Sequence, residues 1–125
     1  MRLLVCVDFS PLTERVLAEA SVLARAANAS IVLLGVARTE TALISGGVAP
    51  PGMHRVVPED ASEHRKELDA YAEQLRADEL DARAELRVTH GEVADTILEA
   101  IGDADATHVV IGSHGHGKLH ELFVG

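Results

Sequence analysis

Residues 3–11 read LLVCVDFSP, and this stretch decides the fold. The apolar run at positions 3–7 predicts a strand buried on both faces, because a half-exposed strand would alternate apolar and polar residues. Asp8, Ser10 and Pro11 then supply turn chemistry, with Ser10 a suitable N-cap and Pro11 at the first helical position. Apolar residues follow at helical spacing up to Asn28, which marks the helix end: Leu12, Val16, Ala20, Leu23 and Ala27.

Three later segments repeat this alternation of strand and helix. Strands are predicted at residues 31–36, at residues 84–88 with one solvated face near a sheet edge, and at residues 107–111. Helices are predicted from Pro58 to about Leu80 and over residues 93–101, where Gly102 would end the second one. Residues 38–58 lack an apolar period and predict a long loop. The order implies a single α/β domain over residues 1–125 with parallel strands and right-handed crossovers.

The composition excludes several classes of protein. Of the 125 residues 47% are hydrophobic but only 2% aromatic, so the core must be aliphatic, as is typical of α/β sheets. A formal net charge of −9 disfavours binding to nucleic acid or to an anionic membrane surface. No segment approaches the ~20 apolar residues of a membrane span. The single cysteine, Cys6, fits a reducing compartment, and we expect a cytoplasmic protein.

A glycine-rich turn follows the predicted fourth strand, where residues 112–117 read GSHGHG. Glycines let backbone N–H groups approach a phosphate, and a helix starting behind them adds its own donors and dipole. If the first and fourth strands are neighbours, Asp8 and Gly112 face one crevice beyond the carboxyl ends of the strands. A tight turn without a ligand is the alternative for the glycines, and an acidic turn residue is the alternative for Asp8. Leu119 excludes a Walker-type NTPase, which needs Ser or Thr there.

Four histidines offer a competing interpretation as a metal site. His108, His114, His116 and His120 lie within thirteen residues, and the last two would share a helix face at i, i+4 spacing. No cysteine lies near them, and no closed set of four ligands can be fixed from the sequence. Exposed, hydrated histidines are the simpler interpretation, so we assign no metal ligand.

The glycine spacing resembles that of nucleotide-binding universal stress proteins. Their motif, G-x2-G-x9-G-(S/T), is matched by Gly112, Gly115 and Gly125, while its closing Ser or Thr would be residue 126. Residues 7–10 (VDFS), 33–36 (LLGV) and 91–93 (GEV) are also similar to the family. The resemblance implies an open, doubly wound, Rossmann-like parallel sheet of strand order 3-2-1-4, with the family's fifth strand missing. We therefore expect the natural chain to continue beyond Gly125.

The resemblance also implies a function, namely an ATP- or AMP-binding signalling module of the stress response with little or no catalysis. The ligand would be ATP, AMP or ADP, with or without Mg²⁺ or Mn²⁺, and the full-length protein would be a homodimer with an unknown signalling partner. By position, Asp8 would contact adenosine and the Val36 backbone would contact the adenine edge. The implied nucleotide-binding residues are Cys6, Val7, Asp8, Val36, Ile111, Gly112, His114, Gly115 and Gly125. A nucleotide-independent protein-interaction module and a slow ATPase remain as alternatives.

Overall fold

The chain alternates strands and helices, as the sequence predicts. The computed structural model describes residues 1–38 and 61–112. Its strands are β1 (Arg2–Val7), β2 (Ser30–Arg38), β3 (Ala82–Thr89) and β4 (His108–Val110). Its helices are α1 (Thr13–Ala27), α2 (Ala61–Ala77) and α3 (Val93–Ala104).

The four strands form one parallel sheet in the order β3-β2-β1-β4, which confirms the predicted topology. β1 pairs with β2 from Arg2–Ser30 to Val7–Gly35, and with β4 only from Leu3–His108 to Val5–Val110. β3 pairs with β2 alone among the described strands, so its predicted place at an edge is also confirmed. The strand order therefore reverses between β1 and β4, because the chain moves outward from β1 to β3 and then returns.

The core has two apolar layers, one on each face of the sheet. On one face, Leu3, Val5 and Val7 pack with residues of α1 and α2, and on the other, Leu4 and Cys6 pack with residues of α3. None of these five side chains is more than 4% exposed. The first strand is thus buried on both faces, as its unbroken apolar run predicts.

Helix α1 begins differently from the prediction. Ser10 is not the N-cap, because the helix begins after Leu12, which makes no side-chain capping bond. Instead the Ser10 hydroxyl accepts a hydrogen bond from the Leu12 N–H (3.2 Å), and its carbonyl accepts one from the Thr13 N–H (3.0 Å). Leu23 was predicted to face the core, but it is 43% exposed. The prediction failed because the abundant alanines of α1 make the helical period of the sequence ambiguous. The predicted end is confirmed, with Asn28 in a left-handed conformation at φ 51°.

Helix α3 does not stop at Gly102, which was predicted to end it. The helix continues to Ala104 and ends where Asp105 takes a left-handed conformation at φ 51°. Burial explains the extension, because Ala104 is only 2% exposed and its packing outweighs the ~1 kcal/mol helix penalty of one glycine. The Arg2 guanidinium also donates to the Ala104 carbonyl (2.6 Å), which satisfies an acceptor at the helix end.

Several predictions fall outside the described residues. These are the long loop after Arg38, the start of the second helix at Pro58, the glycine turn beyond Gly112 and the helix expected behind that turn. Within residues 1–38 and 61–112, no helix is both long and apolar enough to cross a membrane.

Candidate functional site

The carboxyl ends of β1 and β4 lie side by side where the strand order reverses. β1 pairing ends at Val7 on the β2 side and at Val5 on the β4 side, and Asp8 and Gly112 follow these strands. β2 extends further, to Arg38, so that Val36 lies beyond the last β1–β2 pair. In open parallel sheets this is the position where ligands bind.

Asp8 anchors the turn between β1 and α1 with one of its two carboxylate oxygens. Its Oδ1 accepts hydrogen bonds from the Ser10 N–H (3.0 Å) and the Thr13 hydroxyl (3.4 Å), and Thr13 is buried. No other donor in the described ranges reaches this carboxylate, which is half-buried. Asp8 therefore stabilises the turn through Oδ1, and Oδ2 is left without a hydrogen bond from the described part of the chain.

Cys6, Val36 and Ile111 share the apolar layer beneath α3. Cys6 is 4% exposed, whereas Val36 and Ile111 are half-buried at the rim of the layer. Burial raises the pKa of the Cys6 thiol to about 12, so this cysteine is protonated near neutral pH and packs as a small apolar residue. Val7 belongs to the opposite layer, beneath α1 and α2. Of these four predicted residues, Cys6, Val36 and Ile111 therefore lie on the α3 face of the sheet, and Val7 lies on the other face.

Gly112 lies directly against α1. A Cβ atom at this position would be 3.0 Å from Cγ2 of Val16, so a larger residue would press on the helix. The close approach of α1 therefore explains why a residue without a side chain stands at position 112. The other predicted phosphate-binding residues, His114, Gly115 and Gly125, lie outside the described residues.

Phe9 is a feature of this edge that the sequence analysis did not identify. It takes a left-handed backbone conformation, with φ 60°, directly after Asp8. Its ring stacks on the imidazole of His64 from α2, with centroids 4.0 Å apart and planes 6° from parallel. The signal in the sequence was Gly35, since an isolated glycine within an apolar strand indicates a close approach by another group.

The described residues do not form a metal site. Within residues 1–38 and 61–112, no three His, Cys, Asp or Glu side chains come close enough together to hold a metal ion. Of the histidine set in the competing interpretation, His108 is described, and its Nδ1 lies 3.0 Å from the Thr107 hydroxyl. The remaining three, His114, His116 and His120, lie outside the described ranges.

Comparison with known proteins agrees with this architecture. A universal stress protein from Burkholderia pseudomallei is 23% identical, with a TM-score of 0.75 over 98% of this chain and 86% of that one. One from Archaeoglobus fulgidus, solved in complex with dAMP, is 25% identical, with a TM-score of 0.71 over 99% and 89%. One from Arabidopsis thaliana, solved with AMP bound, is 17% identical, with a TM-score of 0.61 over 99% and 83%.

Sequence comparison gives the same family. A search among curated protein sequences returned no match. The sequence model of the universal stress protein family, in contrast, matches residues 1–125. Because that match spans the whole sequence, and the sheet order is the one expected of the family, this chain belongs to the universal stress protein family.

Proposed function

We propose that this protein binds an adenine nucleotide beyond the carboxyl ends of β1 and β4 and serves as an ATP- or AMP-responsive signalling module in the stress response. The observation that carries the proposal is the Asp8 carboxylate, which follows β1 at the strand-order reversal, where Gly112 follows β4. One of its oxygens is fixed by the turn, and the other accepts no hydrogen bond from residues 1–38 or 61–112. The Archaeoglobus fulgidus relative, solved with dAMP, supports the ligand class.

Each predicted residue has a physical role in this proposal. Oδ2 of Asp8 would accept hydrogen bonds from the adenosine moiety, because a carboxylate is a strong acceptor for hydroxyl donors. Val36 and Ile111 would offer apolar surface to the adenine ring, and the Val36 backbone would contact its edge. Cys6, 4% exposed, would support this surface from beneath, and Val7, also 4% exposed, would fix the end of β1 from the opposite face of the sheet.

The phosphates require local donors, since the chain carries a net charge of −9 that repels them at long range. In the proposal, backbone N–H groups from Gly112 to Gly115 supply those donors, with His114 and Gly125 beside them. Mg²⁺ or Mn²⁺ would neutralise part of the phosphate charge. We propose binding with little or no hydrolysis, because Asp8, the carboxylate that follows β1, already anchors a turn.

A cytoplasmic homodimer completes the proposal. Among the described strands β4 pairs only with β1, and its residues His108 and Val109 are exposed. An edge strand with free backbone groups favours pairing with another strand. Light scattering on the full-length protein tests this part, and a monomer at all concentrations would contradict it.

Calorimetric titration with ATP, ADP, AMP and cyclic AMP, with and without Mg²⁺, tests nucleotide binding. We expect Asp8→Ala to weaken nucleotide binding by about 1–3 kcal/mol, a range that runs from an ordinary hydrogen bond to one with a charged group. Asp103→Ala is the matched control, because it removes an exposed carboxylate of α3 that pairs with Arg87 of β3 (2.9 Å). No binding by a folded protein would favour the nucleotide-independent interaction module, and phosphate release would favour the slow ATPase.

A further inference from the structure

Phe9 is an exception among the residues with a left-handed backbone. The described chain has four such non-glycine residues, and Asn28, Glu79 and Asp105 follow the ends of α1, α2 and α3. A left-handed residue is ordinary at the end of a helix. Phe9 instead follows a strand, and a bulky side chain makes this conformation unfavourable. Something in the surrounding structure must therefore hold it.

Contacts from two other elements hold the Phe9 side chain. Its ring stacks on His64 of α2, with the centroids 4.0 Å apart. It also occupies the space above Gly35 of β2, where a Cβ atom would lie 3.1 Å from the ring carbon Cζ. The ring is thus fixed between a helix and a strand, and its packing offsets the unfavourable backbone conformation.

A hydrogen bond that spans Phe9 holds the Asp8 carboxylate. The hydrogen bond from the Ser10 N–H to Asp8 Oδ1 (3.0 Å) closes a turn across Phe9, whose φ of 60° sets the direction of that N–H. The Thr13 hydroxyl donates to the same oxygen (3.4 Å), which links the carboxylate to the first residue of α1. A change of φ at Phe9 would turn the Ser10 N–H away from Oδ1 and leave the Thr13 hydroxyl, at the longer distance, as the remaining described donor.

We propose that Phe9 is a positioning residue: stacked on His64 and seated over Gly35, it holds the backbone reversal that orients the Asp8 carboxylate toward the nucleotide. The proposal rests on the proposed function, and it extends that function to an aromatic pair that does not itself contact the ligand. Through the His64 ring, the packing of α2 would then influence the nucleotide site without contacting it.

Two substitutions at Phe9 separate positioning from direct contact. Phe9→Gly and Phe9→Ala both remove the ring, but only glycine takes a left-handed backbone without penalty. We expect Phe9→Ala to bind AMP about tenfold more weakly than Phe9→Gly in calorimetric titration. Equal losses in both variants would mean that the ring itself contacts the nucleotide, and wild-type affinity in both would mean that it serves stability alone. Either result overturns the proposal.

A second measurement does not depend on nucleotide. Amide hydrogen exchange at Ser10 in the free protein reports the hydrogen bond to Asp8, and we expect faster exchange in Phe9→Ala than in Phe9→Gly. If the wild-type protein binds no adenine nucleotide, the proposed function fails, while this exchange comparison still decides the positioning role. Equal Ser10 exchange in the two variants would overturn that role.

Substitutions at His64 test the other half of the stack, including the case in which Phe9→Ala does not fold. His64→Phe keeps a stacking ring, whereas His64→Ala removes it. We expect His64→Phe to keep the wild-type Ser10 exchange rate and AMP affinity. In His64→Ala we expect faster exchange at Ser10 and weaker AMP binding. Wild-type behaviour of His64→Ala, at an unchanged melting temperature, would show that the stack does not position Asp8.

Discussion

Replacing Gly35 by alanine tests how tightly the sheet, α2 and the Asp8 turn are packed together. The added Cβ would lie 2.7 Å from Cδ1 of Leu68 and 3.1 Å from both Cδ1 of Leu86 and Cζ of Phe9. Leu68 is fully buried, and Phe9 is held by its stack on His64, so neither can move without disturbing its neighbours. Overpacking of this kind typically lowers stability by about 1–3 kcal/mol. We expect a loss in that range for Gly35→Ala.

Chemical denaturation followed by circular dichroism measures this loss, and Gly102→Ala is the matched control. A Cβ at Gly102 meets nothing within 4 Å, and this glycine lies inside α3, so alanine there should raise stability by about 0.5–1 kcal/mol. The two variants make the same chemical change and should shift the midpoint in opposite directions. A Gly35→Ala protein as stable as the wild type would refute the packing described for this edge.

Three further predictions follow from individual residues. Burial raises the pKa of Cys6 from 9.0 to about 12, so the unfolded thiol ionises first and the free energy of unfolding should fall as pH rises across that interval. Denaturation of Cys6→Val should show a weaker fall, and identical pH profiles would contradict this. Asn28→Ala should lower stability by about 1 kcal/mol in thermal unfolding, because alanine disfavours the left-handed φ of 51°, whereas Asn28→Gly should not. Gly115→Val should weaken ATP binding at an unchanged melting temperature, since a branched side chain obstructs a phosphate, and unchanged affinity would remove Gly115 from the proposed site.

The fold could be predicted from sequence wherever burial leaves a clear pattern. The apolar run at residues 3–7 has no polar interruption, so burial on both faces and a parallel sheet follow from it directly. The end of α3 was predicted wrongly, because a contact between residues distant in the sequence stabilises its last turn. Arg2 donates to the carbonyl of Ala104, 102 positions later in the chain, and helix α3 passes Gly102 to reach that contact.

Part of the site could likewise be predicted from the sequence, and part depends on contacts between distant residues. Asp8 and Gly112 were predicted at one edge because strand topology alone brings the ends of the first and fourth strands together. The stack of Phe9 on His64 could not be predicted, because it depends on how α2 packs over the sheet and on a backbone conformation that phenylalanine rarely takes. Local sequence gave only an indirect sign of it, the isolated glycine at position 35.

The central claim is that an adenine nucleotide binds at the carboxyl edge of β1 and β4, and an NMR titration of the isotope-labelled protein with AMP tests it most directly. We predict saturable shifts of the backbone amide signals of Asp8, Val36 and Gly112. The signals of Ser30 and Ala82, which lie at the opposite ends of their strands, should stay unchanged. An absence of shifts in a folded protein, or shifts confined to the Ser30 and Ala82 edge, would contradict the account.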